Sequence, residues 1–469
     1  MSFTIFGLLV LAICTPLLIW RSPLALLIAL MFFSLMGGSA AIVIPALGNA
    51  SIQPAVFGLV FLCASAFLPG RYRSGIVPEA VLQNIYLVFF CIFGFVAALT
   101  LPFIFSGAME VAPMTPIVSR DMFAVTPLRF APENITTGVY LLGTMAAALC
   151  AYIAMKRANA HLAFAKAAAL VGLLHAFLGL SDFLLSGTGY EEFLAFFRNA
   201  KYSQTDHTIA GLSRMNGILP EASEYANVGF IWLVLCFELW LRGFYPRLTG
   251  AAAALLLIAL VFSLSSTAFV ALGGYGAVLL LRAFFTPGSI RGRNTLALMG
   301  AGALALLCVA ATSLFAPSFA NTLARTFADL TVEKSESFSG MQRMFWARQG
   351  IDAFFVSWGL GVGPGSFRSS SILTAILGSM GVFGLVTFTA HLASVLKAFR
   401  FSTYYTHRQM NPRNLVGAAA SWTVIALLIP RSVSAPSPDP GLVFGLLSGV
   451  ALCLRAAPAF ASSHSVAHS

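Results

Sequence analysis

The sequence predicts an all-α, polytopic membrane protein. It is expected to be a bundle of about 12–13 transmembrane helices, with a large extracytoplasmic loop that contains an amphipathic helix. Three observations predict this. Of 469 residues, 59% are hydrophobic and only 9% charged, where a soluble domain carries about 25% charged residues. Mean hydropathy is +0.88. Apolar runs recur along nearly the whole length, and most are long enough to cross about 30 Å of hydrocarbon.

The runs fall near 3–20, 23–45, 52–69, 82–104, 137–155, 164–186, 222–240, 249–263, 266–284, 295–315, 371–396, 414–430 and 441–457. A single membrane domain over 1–457 therefore accounts for almost all of the chain, followed by a polar tail from 458 to 469. The net charge of +11 does not point to nucleic acid, because much of it sits in short loops between spans, where basic residues set topology. Arg21, Arg71, Arg73, Lys156, Arg157, Arg242, Arg247, Arg291, Arg293, Lys397, Arg400, Arg408 and Arg413 occupy alternate loops that hold one acidic residue, Glu79. Those loops are expected on the cytoplasmic side. The N-terminus is then outside and the tail inside. No basic n-region precedes the first apolar run, so no cleavable signal peptide is expected.

The opposite face carries three long loops, near 105–136, 187–221 and 316–370. Loops of this length are uncommon unless they serve a function. They hold Arg198, Lys201, Arg214, Arg325, Lys334, Arg343, Arg348 and Arg368, against the positive-inside rule. Binding something anionic is the simplest reason to keep cations there. Asn134-Ile-Thr136 in the first loop matches a glycosylation sequon.

Within the third loop, Ser339-x-x-Gln342 reads as a capping box. Met344, Ala347, Ile351, Phe354, Phe355 and Trp358 then recur at helical spacing, and Gly359 sits where a glycine cap belongs. This predicts an amphipathic helix lying along the bilayer surface. It carries Arg343 and Arg348 and runs into Gly359-Leu-Gly361-Val-Gly363-Pro-Gly365. Guanidinium groups beside bare backbone amides would suit an anion. The plain alternative is an anchored loop with a flexible return.

In the second loop, Arg214, Glu221 and Glu224 stand at the entrance to a span, where charge is costly and points to function. The alternative for both glutamates is a favourable seat at a helix N-terminus. The seven cysteines lie in apolar segments without metal-ligand spacing, and read as packing residues. His175 and His391 lie within spans and are expected to bond to a neighbouring helix.

Arg214-x-x-Gly217 followed by Pro220-Glu221-Ala-Ser223 resembles the pattern ahead of a central span in bacterial polysaccharide (O-antigen and exopolysaccharide) polymerases and O-antigen ligases. Arg343-x-x-Trp346, the alternating glycines ending in Gly365-Ser-Phe367, and Gly381-Val-Phe-Gly384 resemble that family's large outer loop and next span. Arg348 and Gly359 also show an arginine, ten residues, glycine spacing described for such polymerases. The resemblance extends over the span pattern end to end.

The resemblance implies an integral-membrane glycosyltransferase of the bacterial inner membrane. It would move a glycan from undecaprenyl pyrophosphate to a sugar hydroxyl, without cofactor or metal. A chain-length-regulating membrane protein is a possible partner. Family ligases carry a histidine shortly after the glycine run, where this chain reads Arg368-Ser369-Ser370-Ser371. That favours a polymerase over a ligase, and leaves the base open among Glu221, Glu224, Asp352 and His207. Glu221, Arg214 and Arg343 are the candidate catalytic residues. Arg348, Gly361, Gly363, Gly365 and Arg368 are the candidate binding residues. A transporter of lipid-linked oligosaccharide is the non-enzyme alternative, although the sequence shows no internal repeat.

Overall fold

A computed structural model of the chain describes residues 2–44, 50–67, 75–115, 123–199, 208–209, 212–213, 215–285, 337–397 and 411–454, with isolated positions between 294 and 328. Among these residues it is an all-α bundle. The strands are short pairings of two or three residues at the bundle ends, such as β1 (Ser2–Phe3), β2 (Ile42–Ile44) and β3 (Ala50–Ile52), joined antiparallel in that order.

The helices are α1 (Ile5–Ile19), α2 (Pro23–Phe33), α3 (Pro54–Phe67), α4 (Ile76–Gln83), α5 (Ile85–Ile104), α6 (Pro132–Met155), α7 (Ala160–Leu184), α8 (Tyr190–Phe196), α9 (Ala222–Leu241), α10 (Pro246–Phe262) and α11 (Ser266–Phe285). They continue with α12 (Phe338–Val356), α13 (Ile372–Lys397), α14 (Pro412–Ala426), α15 (Leu428–Ser434) and α16 (Leu442–Cys453). Among the described residues, seven helical segments are long and apolar enough to cross a membrane, and five more are apolar but shorter. The span expected at 295–315 lies mostly outside the described residues.

Two expected spans are corrected. The run 23–45 is helical only to Phe33. A side chain at Gly38 would sit 2.6 Å from the Ile218 carbonyl oxygen, and one at Gly37 2.8 Å from Leu219. The chain leaves the helix there to press against the segment that leads to Glu221. In the described part of the run 441–457 the helix is α16, 12 residues long. It packs beside the second half of α6, with Gly445 against the Thr144 carbonyl and Gly449 against that of Ala148. Glycines four apart let the two backbones meet, as small residues do between membrane helices.

α9 is the most enclosed of the long helices, with Trp232, Tyr225 and Phe230 fully buried. His175 of α7 stacks on Tyr225 with ring centres 4.2 Å apart, and its Nε2 lies 3.2 Å from the Tyr225 carbonyl oxygen. His391 likewise meets Ser448 at 3.1 Å. Both histidines bond to a neighbouring helix, as expected from the sequence. At the far end of α9, Glu238 accepts from Arg242, Arg282 and Tyr275. The Arg282 guanidinium lies 4.1 Å from the Trp422 ring centre, so one buried carboxylate staples α9, α11 and α14.

The helix in the third loop departs from the sequence expectation in two ways. Its N-cap is Ser337, whose hydroxyl accepts from the Gly340 amide, and not Ser339. It also packs along its length against the first half of α13, up to the break at Gly381. Ser370 donates to the Arg343 carbonyl oxygen, Gly350 packs on Thr374 and Gly378, and the Val382 amide donates to the Gly359 carbonyl oxygen. Residue numbers rise together on both sides, so α12 runs alongside the first half of α13 in the same direction. The chain must then climb back to reach Ile372, and residues 359–371 make that return.

The return is built on glycine. Gly359, Gly361, Gly363 and Gly365 all have φ between 81° and 97°. An added Cβ would meet the Ser379 backbone at 2.4 Å from Gly361, Pro102 at 2.7 Å from Gly363, and the Glu133 carbonyl oxygen at 2.3 Å from Gly365. Asn134 donates to the Pro364 carbonyl oxygen and Ser366 Oγ, at 2.8 and 2.9 Å. The asparagine of the sequon is thus buried and engaged in the fold.

Candidate functional site

Charged side chains gather at one end of the bundle, where α9 and α13 begin. Glu221 is the N-cap residue of α9, with extended backbone. Its carbonyl oxygen accepts from the Glu224 and Tyr225 amides, but its carboxylate does not cap the helix. The carboxylate instead accepts a hydrogen bond from Ser223 and acts electrostatically on Arg343 and Arg368. A glutamate there only for the helix dipole would turn to its own amides. This one bonds to Ser223 and has two guanidinium groups within electrostatic reach.

The lead-in to Glu221 is held firmly. Asp182, near the end of α7, accepts from the Asn216 and Gly217 amides, both at 2.9 Å. Arg198 pairs with Asp182 at 3.5 Å and donates to the Gly217 carbonyl oxygen. Gly217 has φ +57°, which favours glycine at this turn. Residues 215–220 are all buried.

Arg343 projects from the first half of α12, half-buried. Burial pulls its pKa below the usual arginine range, and the Glu221 carboxylate acts the other way. Arg368 lies in the return segment. Its guanidinium carbon is 4.4 Å from the Trp346 ring centre, and Nη1 donates to the Met114 carbonyl oxygen at 3.4 Å. Its Nε is buried and has no hydrogen-bond partner among the described residues. Burial again lowers its pKa, Glu221 opposes this, and the neighbouring Arg343 charge adds to it. Both guanidinium groups remain cationic at neutral pH. Among the described residues no ion pair closer than 4 Å joins Glu221 to either of them, so the three groups face one another without direct contact.

The structure thus brings together Glu221, Arg343 and Arg368. Arg214 and His207 lie outside the described residues. Arg348 is on the exposed side of α12, away from Arg343. Asp352 is on the same helix, nine residues and about 13 Å farther along. Bare amides are not found where they were expected. The amides of Gly359, Leu360, Gly361, Val362 and Gly363 donate to Phe354, Ser357 carbonyl, Ser357 Oγ, Gly378 and Ser379. Gly361, Gly363 and Gly365 are buried packing positions, not an open anion cradle.

A second charged group adjoins the first; its Glu224 stood out in the sequence, and its Arg431 and Asp439 did not. Glu224, half-buried one turn into α9, accepts from Asn227 at 3.4 Å, and Asn227 also donates to Ser434 at 3.1 Å. Glu221 and Arg431 both act on Glu224 electrostatically. Arg431 Nη1 donates to the Asp439 carbonyl oxygen at 3.4 Å, and Asp439 Oδ1 accepts from Thr144 at 2.7 Å. The Ser369 amide donates to the Pro436 carbonyl oxygen and the Ala435 amide to that of Ser370, which ties this group to Arg368 and Arg343. Its signal was present in Pro430-Arg431 through Asp439-Pro440-Gly441, a charged, proline-rich break between two apolar runs.

Cationic groups around one carboxylate can hold a phosphate oxyanion while the carboxylate accepts a proton from an attacking hydroxyl. Comparisons with protein-family models, with characterised proteins and with solved structures give no match.

Proposed function

We propose that the chain is a membrane glycosyltransferase of the polysaccharide-polymerase type, acting at the outer leaflet of the bacterial inner membrane. Its donor is a repeat unit on undecaprenyl pyrophosphate, and its acceptor is a sugar hydroxyl. The observation that carries this reading is the gathering of Glu221, at the start of α9, with Arg343 and Arg368, whose segments are joined by the Ser370–Arg343 bond, within electrostatic reach of one another at one end of a membrane bundle.

In the proposed reaction the acceptor oxygen forms a bond to the anomeric carbon. The bond from that carbon to the pyrophosphate oxygen breaks, and the pyrophosphate leaves with the electron pair. Glu221 takes the acceptor proton. Arg343 and Arg368 face the leaving group, where guanidinium forks match phosphate oxygens. A ligase differs only in its acceptor, and the absence of a histidine in Arg368–Ser371 favours the polymerase.

A transport reading has one observation in its favour. The break between α15 and α16, from Ala435 to Gly441, carries Asp439, which meets the middle of α6 at Thr144, and Arg431 lies on the short helix before it, as at broken helices in carriers. One experiment separates the three: analysis of the lipid carrier after deletion of the gene. Single repeat units on the outer leaflet support the polymerase. Finished polymer on the carrier means a ligase, and repeat units retained on the inner leaflet mean transport.

A further inference from the structure

The charged group around Arg431 holds itself together loosely. Glu224 accepts one long bond, from Asn227 at 3.4 Å, and Arg431 donates one, to the Asp439 carbonyl oxygen at 3.4 Å. Arg431 acts electrostatically on both Glu224 and Asp439. Among the described residues, however, no ion pair within 4 Å joins it to either carboxylate. The staple at the other end of α9 is the contrast. There Glu238 is fully buried and accepts directly from Arg242, Arg282 and Tyr275. Buried polar groups normally find partners, and those left short cost stability. A group that only fastened helices together would close as Glu238 does.

The same side chains line a recess. Asp439 bonds to Thr144, midway along α6 and 1% exposed, so the group reaches deep into the bundle. Glu224, Arg431, Ser434 and Asp439 nevertheless keep accessible surface. Charge on a lipid-facing side is too costly to explain this. The recess is shaped by the backbone: Gly441 holds φ +90°, and a Cβ there would meet Arg431 Nη2 at 2.9 Å, while its amide donates to Asp439 at 3.1 Å. Tyr140 lies one turn before Thr144 on the same face of α6. It is 38% exposed and within electrostatic reach of Asp439. Glu221, one turn before Glu224 on α9, acts on Glu224 as well as on Arg343 and Arg368. It therefore stands between this recess and the two arginines.

The chemistry of the recess selects its ligand. Two acidic side chains beside a single guanidinium offset the positive charge that a pyrophosphate needs. Carboxylates and Ser434 can accept hydrogen bonds here, while Arg431, Asn227 and Tyr140 can donate them. A sugar hydroxyl does both, and the electron-rich face of a tyrosine ring suits sugar C–H groups. We infer that the recess walled by Tyr140, Glu224, Asn227, Arg431, Ser434 and Asp439 is the subsite for the acceptor sugar. A sugar seated there has a hydroxyl near Glu221, across from the pyrophosphate at Arg343 and Arg368. This assignment rests on the glycosyltransferase reading and divides that site into a donor side and an acceptor side.

The test uses an acceptor that cannot act as donor: the repeat-unit oligosaccharide released from the carrier by mild acid and reduced with tritiated borohydride. Purified full-length protein transfers glycan to it from lipid-linked repeat units, and KM is measured separately for each substrate. Glu224→Gln, Arg431→Lys and Tyr140→Leu should each raise the oligosaccharide KM about tenfold or more, as loss of a hydrogen bond to a charged group does. Their KM for the lipid-linked donor should stay near wild type, and Arg343→Lys should show the reverse pattern. Tyr140→Leu changes an exposed position and decides the matter should the two charge variants fail to fold. An unchanged oligosaccharide KM, or a rise in the donor KM instead, would overturn the acceptor subsite and leave the glycosyltransferase reading standing. So would polymer formed by wild type from lipid-linked units without any transfer to the oligosaccharide. No glycan transfer of either kind by wild type would overturn the glycosyltransferase reading, and this assignment with it.

Discussion

Ser370 donates its hydroxyl proton to the Arg343 carbonyl oxygen across 2.5 Å. One hydrogen bond thereby joins the start of α13 to the turn of α12 that carries Arg343, two residues after Arg368. Together with the bonds from the Ser369 amide to Pro436 and from the Ala435 amide to Ser370, it fixes where both arginine-bearing segments stand relative to the 435–436 segment. A site assembled this way should respond to charge geometry and not only to charge.

Arg343→Lys keeps the charge and loses the planar fork. A hydrogen bond to a charged group contributes about 1.5–3 kcal/mol, so polymer synthesis should fall roughly 10- to 100-fold. Arg348→Lys should stay near wild type, because Arg348 lies on the exposed side of α12. Gel analysis of polymer at matched protein levels checks both. Equal losses from the two variants would place both arginines in one role.

Gly361→Ala should destabilise the protein without touching any charged group. The new methyl would sit 2.4 Å from the Ser379 backbone, at φ +88°. Strain of this kind costs about 1–3 kcal/mol, and the overlap with backbone adds to it. Thermal unfolding in detergent should show a clear drop in midpoint. An unchanged midpoint would mean that the return segment is looser than its packing implies.

Glu238→Gln tests the buried staple at the other end of α9. Removing one partner of a buried ion pair costs about 3–5 kcal/mol, and here Arg242 and Arg282 would both lose their counter-charge. Size-exclusion chromatography after a heat step should show early loss of the monodisperse peak. Survival equal to wild type would mean that neighbouring groups compensate.

Topology is checked with a cysteine at Ser337 in a cysteine-free background. The basic loops predict that an impermeant thiol reagent labels it in intact spheroplasts. Labelling only after lysis would reverse the orientation.

The fold class was legible in the sequence because burial in lipid demands long apolar helices, and composition alone reports that. The charged end was legible in part. Glu221, Arg343 and Arg368 stood out as charges where topology disfavours them, and the structure sets them together. What the sequence could not tell is which amides are already used. The glycine run reads the same whether its N–H groups face a ligand or the chain, and only the pairings of Gly361 with Ser357 and Gly363 with Ser379 decide it. The packing of α12 along α13 was hidden for a similar reason. An apolar stripe marks contact with lipid but not the angle of approach, which here is set by Gly350 meeting Gly378. Arg431 and Asp439 were overlooked because short prolyl segments between spans read as connectors.

The central claim is that the Glu221 carboxylate takes the acceptor proton. Glu221→Gln preserves size and removes basicity, and loss of a general base costs about 10²–10⁴ in rate. The most direct measurement is polymer formed by the purified variant from lipid-linked repeat units, alongside carrier binding. The expected result is a folded protein that binds the carrier with near wild-type affinity and makes little or no polymer. Polymerisation within a few-fold of wild type would contradict the account and leave Glu221 a structural residue.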